Sequence, residues 1–299
     1  VVAYLQRVAG YCLTGSIREH AVFFAHGPGG NGKGVFINTL TRLFGDYAAV
    51  SSMDTFTATK NEPHPTGVAM LRGARMVSAQ ETDEGRHWDE AKIKALSGGD
   101  PITARFMRQN FFTFEPTFKL LVAGNHRPAI RNVDPAMKRR LQLIPFEVRI
   151  PNPDKDLADK LVAEWPGIFA WMIEGCLEWQ RIGLAPPDAV LIATNEYFED
   201  EDALGRWLHE RCEIKADAYS TTADLFASWK AWATEAGEEV GSDKRLSQAL
   251  KKRGFKGDWK HPRTRQKGFR GIRARQDWER DDPPAYAAAP NSSSRAPLF

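Results

Sequence analysis

The chain has 299 residues, 42% hydrophobic and 26% charged, a globular composition with length enough for two or three domains. Its 24 Gly and 18 Pro exclude a collagen-like or low-complexity chain. Three scattered cysteines, Cys12, Cys176 and Cys212, argue against a structural zinc site and a disulfide framework. No apolar run reaches the roughly 18 residues of a membrane helix, and no basic-then-apolar leader opens the chain, so a soluble protein of a reducing cytosol with no membrane partner is expected.

The formal charge of +3 hides an asymmetry. Residues 244–275 hold 13 Lys or Arg against one acid, Asp258, a local net of +12, and the other residues sum to about −9. A stretch this lopsided reads as an anion-binding surface, and nucleic acid is the obvious anion.

In chain order, residues 1–20 read as a short helical lead-in whose role is packing. Residues 21–150 alternate strand-like runs (21–25, 75–79, 119–123, 141–148) with helix-like runs (35–44, 89–96), the signature of an α/β layer fold. Ile150-Pro151-Asn152-Pro153 breaks the pattern, and 151–212 reads as a helical connector. In 213–278, Thr221 caps an aromatic-rich helix to about residue 236 and Ser242 caps a second to 253, followed by Gly-punctuated basic sequence. Helix, helix and basic hairpin describe a winged-helix DNA-binding module, in which Lys251, Lys252 and Arg253 are expected to meet phosphates. Residues 279–299, rich in Ala, Pro and Ser, are expected to be a disordered tail.

The sharpest local signal is Gly27-Pro28-Gly29-Gly30-Asn31-Gly32-Lys33-Gly34-Val35, between a strand-like and a helix-like run. Strand, glycine loop and helix make a phosphate-binding loop. Backbone N–H groups converge on phosphate oxygens at a helix N-terminus, and Lys33 neutralises the β and γ phosphates. The residue after the lysine is Gly34, where Ser or Thr normally offers Mg²⁺ a hydroxyl. The metal must then use another group, and Glu81, at the end of the 75–81 run, is favoured over Thr39. Such an acid at a strand end holds Mg²⁺ or polarises the attacking water. Asn125, just past the 119–123 strand, can reach a γ-phosphate, and Arg139 and Arg140 lie where an arginine can stabilise transition-state charge.

Together these residues resemble the superfamily 3 helicases, specifically the helicase portion of phage and plasmid primase-helicases related to the poxvirus primase-helicase. The strings that carry the resemblance are the glycine loop, His64-Pro65 with Leu71-Arg72-Gly73-Ala74-Arg75, Glu81-Thr82-Asp83-Glu84-Gly85, Leu96-Ser97-Gly98-Gly99-Asp100 through Ala104-Arg105, 119–125, and Arg139-Arg140 through Ile144-Pro145-Phe146. The resemblance runs to about Arg275. It implies an AAA+ type phosphate-loop core, with ATP and Mg²⁺ as cofactors, Lys33 on phosphate, Glu81 as the acidic residue, Asn125 as sensor, and Arg139 or Arg140 as a finger acting on a neighbouring subunit's ATP. A homo-hexameric ring follows. The segment 102–114, with most of its phenylalanines read as core, looks like the hairpin this family projects into its channel, where Arg105 and Arg108 would meet single-stranded DNA.

The resulting expectation is an ATP-dependent DNA helicase of phage or plasmid replication, in the cytoplasm of a bacterial host. Because the chain starts at Val1 rather than Met, it is expected to be the helicase half of a longer primase-helicase. The alternative is a DNA-binding replication initiator that ATP assembles without processive unwinding.

Overall fold

The computed structural model describes residues 1–59, 65–80, 85–130 and 133–275. The chain divides into two units, Val1–Glu201 and Asp202–Phe299. The first begins with α1 (Val2–Cys12), β1 (Val22–His26), α2 (Lys33–Phe44), β2 (Ala48–Val50), α3 (Thr66–Ala69), β3 (Met76–Gln80) and α4 (Glu90–Gly98). There follow the hairpin strands β4 (Ile102–Ala104) and β5 (Phe112–Phe114), then β6 (Lys119–Gly124), α5 (Pro135–Arg140), β7 (Leu141–Pro145), α6 (Leu157–Ala163), α7 (Trp165–Ile182) and α8 (Asp188–Asp200).

Five strands form one parallel sheet in the order β2-β3-β6-β1-β7. The unit is therefore mixed α/β around a central parallel sheet. Alternate residues of each strand enter different cores: Val22, Phe24, Leu120 and Val122 lie in one, Phe23, Ala25, Leu121 and Ala123 in the other. Burial on both faces explains why these strands read as continuous apolar runs. The strand β2 gave no such run, because Ala-Ala-Val is short and half-exposed at the sheet edge.

The lead-in helix α1 lies directly on α7. A Cβ on Gly10 would stand 2.1 Å from the Cys176 amide nitrogen, and one on Gly175 would stand 2.1 Å from the Gln6 carbonyl oxygen, so the two backbones touch through glycine. The stretch 151–212 is shared between the units, with α6, α7 and α8 in the first and its last helix in the second.

The second unit contains α9 (Ala203–Arg211), β8 (Cys212–Glu213), β9 (Tyr219–Thr221), α10 (Thr222–Glu235), α11 (Asp243–Lys252), β10 (Lys256–Lys260), β11 (Lys267–Arg270) and β12 (Arg273–Ala274). Thr221 and Ser242 are the N-caps of α10 and α11, each accepting a backbone N–H three residues on. Strands β10, β11 and β9 form an antiparallel sheet in that order. Its core gathers Trp207, Trp229, Trp232, Leu246, Leu250 and Phe269. The expected tail, 279–299, lies outside the described residues.

Candidate functional site

Parallel strands deliver all their carboxyl ends to one sheet edge, and in such folds the crevice there is where ligands bind. Pairing of His26 with Gly124 places Asn125, the first residue past β6, beside the glycine loop that leaves β1. The loop is held against the residue after β7, since Phe146 donates its N–H to the His26 carbonyl at 2.7 Å and accepts from the Asn31 side chain. Gly27 permits this closeness: a Cβ there would lie 1.9 Å from the Phe146 carbonyl oxygen.

Lys33 is the first residue of α2 and only 6% exposed. Its Nζ donates to the carbonyls of Gly27 (2.7 Å) and Pro28 (3.1 Å) and to the side-chain oxygens of Asn31 (3.0 Å) and Asn125 (3.1 Å). All four acceptors are neutral, and Lys33 has no carboxylate partner among the described residues. Burial pushes its pKa below the usual lysine value. An anion arriving there would meet a buried cation compensated only by dipoles, at a helix N-terminus with no side-chain cap. The imidazole of His26 at the same edge is also held below its usual pKa, by burial first and then by Arg127, with Lys33 adding to the effect. It is thus biased toward the neutral form.

Beside the loop opens a cavity of about 640 Å³, lined by Gly32, Val35, Phe36, Ile150, Leu161 and Trp171 among others. Thr39 faces this cavity, not the end of β3. That corrects the expectation that Thr39 is the alternative metal ligand, and the reason is helical phase: Asn38 is the α2 residue that meets the strand end, its Oδ1 accepting from Gln80 Nε2 at 2.5 Å. Among the described residues a Cβ on Gly34 would have only Gln80 Oε1 near it, at 3.8 Å, so none of them sterically demands glycine there. Glu81, the proposed acid, lies outside the described residues. The oxygens that can be described next to Gly34 belong to amides. They suit a hydrated hard cation carried mainly by phosphate oxygens rather than an all-protein cage. Among the described residues there is no cluster of three His, Cys, Asp or Glu side chains.

The two arginines of α5 differ. Arg139 is exposed, whereas Arg140 is half-buried, donates to the Ala136 carbonyl at 3.0 Å, and has its Nε buried without a partner.

The segment 102–114 is an antiparallel hairpin, with Arg108 at φ 60° in its tip. Its phenylalanines correct the reading that most are core. Phe111 is 60% exposed, and Phe106, Phe112 and Phe114 are half-buried. Phe114 packs at the margin of the first core, while Phe106 and Phe112 stack on each other and cations cover the rest, Arg105 over Phe111 at 4.5 Å and Arg72 over Phe112 at 5.0 Å, because the outer part of a two-stranded hairpin has no second layer to bury them. Arg105 and Arg108 are exposed.

In the second unit Lys251 and Lys252 are exposed at the end of α11 with no ion-pair partner among the described residues, but Arg253 forms an ion pair with Asp202. Asp202 lies 51 residues away in sequence, so the pairing had no local signal. Lys256, Lys260, Arg263, Arg265 and Lys267, within the basic stretch read as an anion-binding surface but not singled out there, are exposed cations of the β10–β11 hairpin. The density of basic residues there was the available signal.

A family model described as a family of unknown function (DUF5906) matches residues 25–140. The chain is 26% identical over 267 residues to "Putative helicase 022R" of Frog virus 3 (isolate Goorha), covering 81% of this chain and 27% of that protein. It is 25% identical over 255 residues to "Putative helicase L207/L206" of Acanthamoeba polyphaga mimivirus, covering 77% and 26%. Among solved structures it is similar to the C-terminal region of NrS-1 in its A form apo structure, with a TM-score of 0.49 and 10% identity over 82% of this chain and 56% of that one. The chain spans about a quarter of the length of the curated relatives it matches. These relatives belong to large DNA viruses whose names point to frog and amoeba hosts, and they lend no support to the expected bacterial host. No helix among the described residues is long and apolar enough to cross a membrane. The chain is related to helicase-named proteins of large DNA viruses.

Proposed function

We propose that this chain is the motor portion of an ATP-dependent DNA helicase with an AAA+ type core of the superfamily 3 kind. The observation that carries the reading is Lys33, a buried cation whose partners among the described residues are all neutral oxygens, two of them from Asn31 and Asn125, at the uncapped start of α2. A nucleotide's β and γ phosphates are the anion that such a loop accepts. The apolar cavity beside Gly32 has the size and lining for a nucleobase. Asn125, already bonded to Lys33, would sense the γ-phosphate. Mg²⁺ would be carried by the phosphates with help from Glu81, and would neutralise charge as it develops on the transferred group.

Arg139 is the better candidate for a finger acting on a neighbour's nucleotide, because it is exposed while Arg140 is tied to its own helix. A ring, taken to be hexameric, is further supported by Phe169, Ile173 and Leu177, which are exposed every fourth residue along α7 and would be covered by a second copy. Arg105 and Arg108 on the hairpin would hold the translocating strand. The second unit would act as a winged-helix module, with Lys251 and Lys252 on the phosphates of duplex or fork DNA.

DNA-stimulated ATP hydrolysis and fork unwinding by wild type and Lys33→Ala test this. The variant should lose hydrolysis by about a thousandfold or more, and hydrolysis indifferent to the change would sink the proposal. Gly34 favours a second reading, ATP-driven assembly of a DNA-binding initiator. That reading predicts nucleotide-dependent association with hydrolysis too slow to unwind a fork.

A further inference from the structure

The β10–β11–β9 sheet has an inner face closed by Phe269, 2% exposed in the core of the second unit. Residues directly opposite in an antiparallel pair share a face, and neighbours along a strand alternate. Gly268 and Arg270, on either side of Phe269, therefore point outward. So do their partners Trp259 and Lys256 on β10 and Tyr219 on β9. One extra residue in β10 between Lys256 and Trp259 keeps both on this outer face.

The central position is glycine, and that lets an aromatic pair form across the strand. The Trp259 ring lies over Gly268, where a Cβ would come within 2.6 Å of it, and stacks on Tyr219 with centroids 4.8 Å apart and planes 26° apart. Tyr219 is 56% exposed. His261 meets the indole edge-on at 5.8 Å and closes the hairpin tip, donating its N–H to the Gln266 carbonyl.

The surroundings are cationic. Lys256 and Arg270 flank the pair on the outer face and Arg263 and Arg265 lie in the hairpin turn, with Asp258 as the single acid of the hairpin, 3.8 Å from Arg270. Lys260 and Lys267 stand directly opposite each other, a like-charge pairing that costs stability in the isolated protein and is relieved by a polyanion. A stacked aromatic pair with an exposed tyrosine, flanked by exposed cations, suits a ligand that has π-faces and phosphates together.

We propose that the Tyr219–Trp259 pair is a base-stacking platform for an unpaired nucleotide of single-stranded DNA, whose flanking phosphates are held by Lys256 and Arg270 on the same face. This deepens the proposed DNA-binding role of the second unit and rests on it. The platform gives the unit a means of engaging the opened strand of a fork, in addition to gripping phosphates.

The test compares anisotropy titrations of the full chain with three 20-nucleotide probes: oligo-dT, an abasic strand with the same phosphates, and a duplex. Wild type should bind oligo-dT about tenfold more tightly than the abasic strand. Trp259→Ala should lose most of that preference without changing the salt dependence of abasic-strand binding, and Trp259→Phe should keep most of it. Tyr219→Ala, which removes an exposed ring, should also reduce the preference if Trp259→Ala proves unstable by circular dichroism. Equal weakening toward oligo-dT and the abasic strand, or no change with either alanine variant, overturns the platform while leaving phosphate binding intact. Failure of wild type to bind any of the probes at low salt overturns both the platform and the DNA-binding reading.

Discussion

Lys33 and Asn125 stand 92 residues apart and meet at 3.1 Å, so the chemistry of the candidate site is set by pairs of residues rather than by the glycine string alone. Gly34 is the residue whose identity bears most on the proposed Mg²⁺ site, and among the described residues its surroundings leave room for a side chain. Gly34→Ser is expected to raise thermal stability by about 0.5 kcal/mol through helix propensity, and to lower the Mg²⁺ concentration needed for half-maximal hydrolysis. Melting curves and a Mg²⁺ titration check both, and an unchanged Mg²⁺ requirement would show that the ion is not held near position 34. For the arginines, Arg139→Ala should keep nucleotide affinity while losing turnover by about a thousandfold. Mixing it with Lys33→Ala protein should restore part of the rate. Arg140→Ala should act mainly on stability, since Arg140 is tied to the Ala136 carbonyl of its own helix. Nucleotide binding and steady-state turnover at matched assembly separate these outcomes.

Strand β6 carries an unusual burden at its amino end. Lys119 is only 2% exposed, donates to the carbonyls of Thr14, Thr117 (3.3 Å) and Ser16 (3.4 Å), and lies 4.8 Å from the centre of the Tyr11 ring. It fastens the loop after α1 to the sheet. Burial, with Arg75 adding to it, pushes the Lys119 pKa down to about 8. Since the folded value lies below the unfolded one, the unfolded chain holds more protons between about pH 8 and pH 10.5, and the lysine's contribution becomes less unfavourable as pH rises through that window. Relative to Lys119→Met, wild type should therefore gain about 2 kcal/mol of stability between pH 7.5 and pH 10. Denaturant unfolding of both proteins at the two pH values tests this, and a constant difference would mean that Lys119 titrates normally.

For the whole molecule, the near-neutral total charge conceals one unit that carries the glycine loop and another that carries the basic hairpin. If DNA is held through counterion release at the end of α11, Lys251→Ala with Lys252→Ala should flatten the slope of log affinity against log salt by about 1.8 for duplex DNA. Adding Arg253→Ala should change it little further, because Arg253 is already paired with Asp202. An unchanged slope in the double variant would remove these lysines from the interface.

By itself the sequence determined what depends on neighbouring residues. The glycine loop and its lysine, the N-caps Thr221 and Ser242, and the strands β1, β3, β6 and β7 were legible because loop geometry, capping and hydrophobic period are properties of a few consecutive positions. Tertiary structure alone decided which distant residues meet. Parallel register set Asn125 against Lys33, and the antiparallel pairing of β9, β10 and β11 stacked Tyr219 on Trp259 over a glycine. Helical phase turned Thr39 to the cavity and Asn38 to Gln80, and long-range packing buried Lys119 and neutralised Arg253. Strand register, helix rotation and ion pairing between remote segments leave no local trace in the chain, because each depends on what the rest of the fold brings alongside.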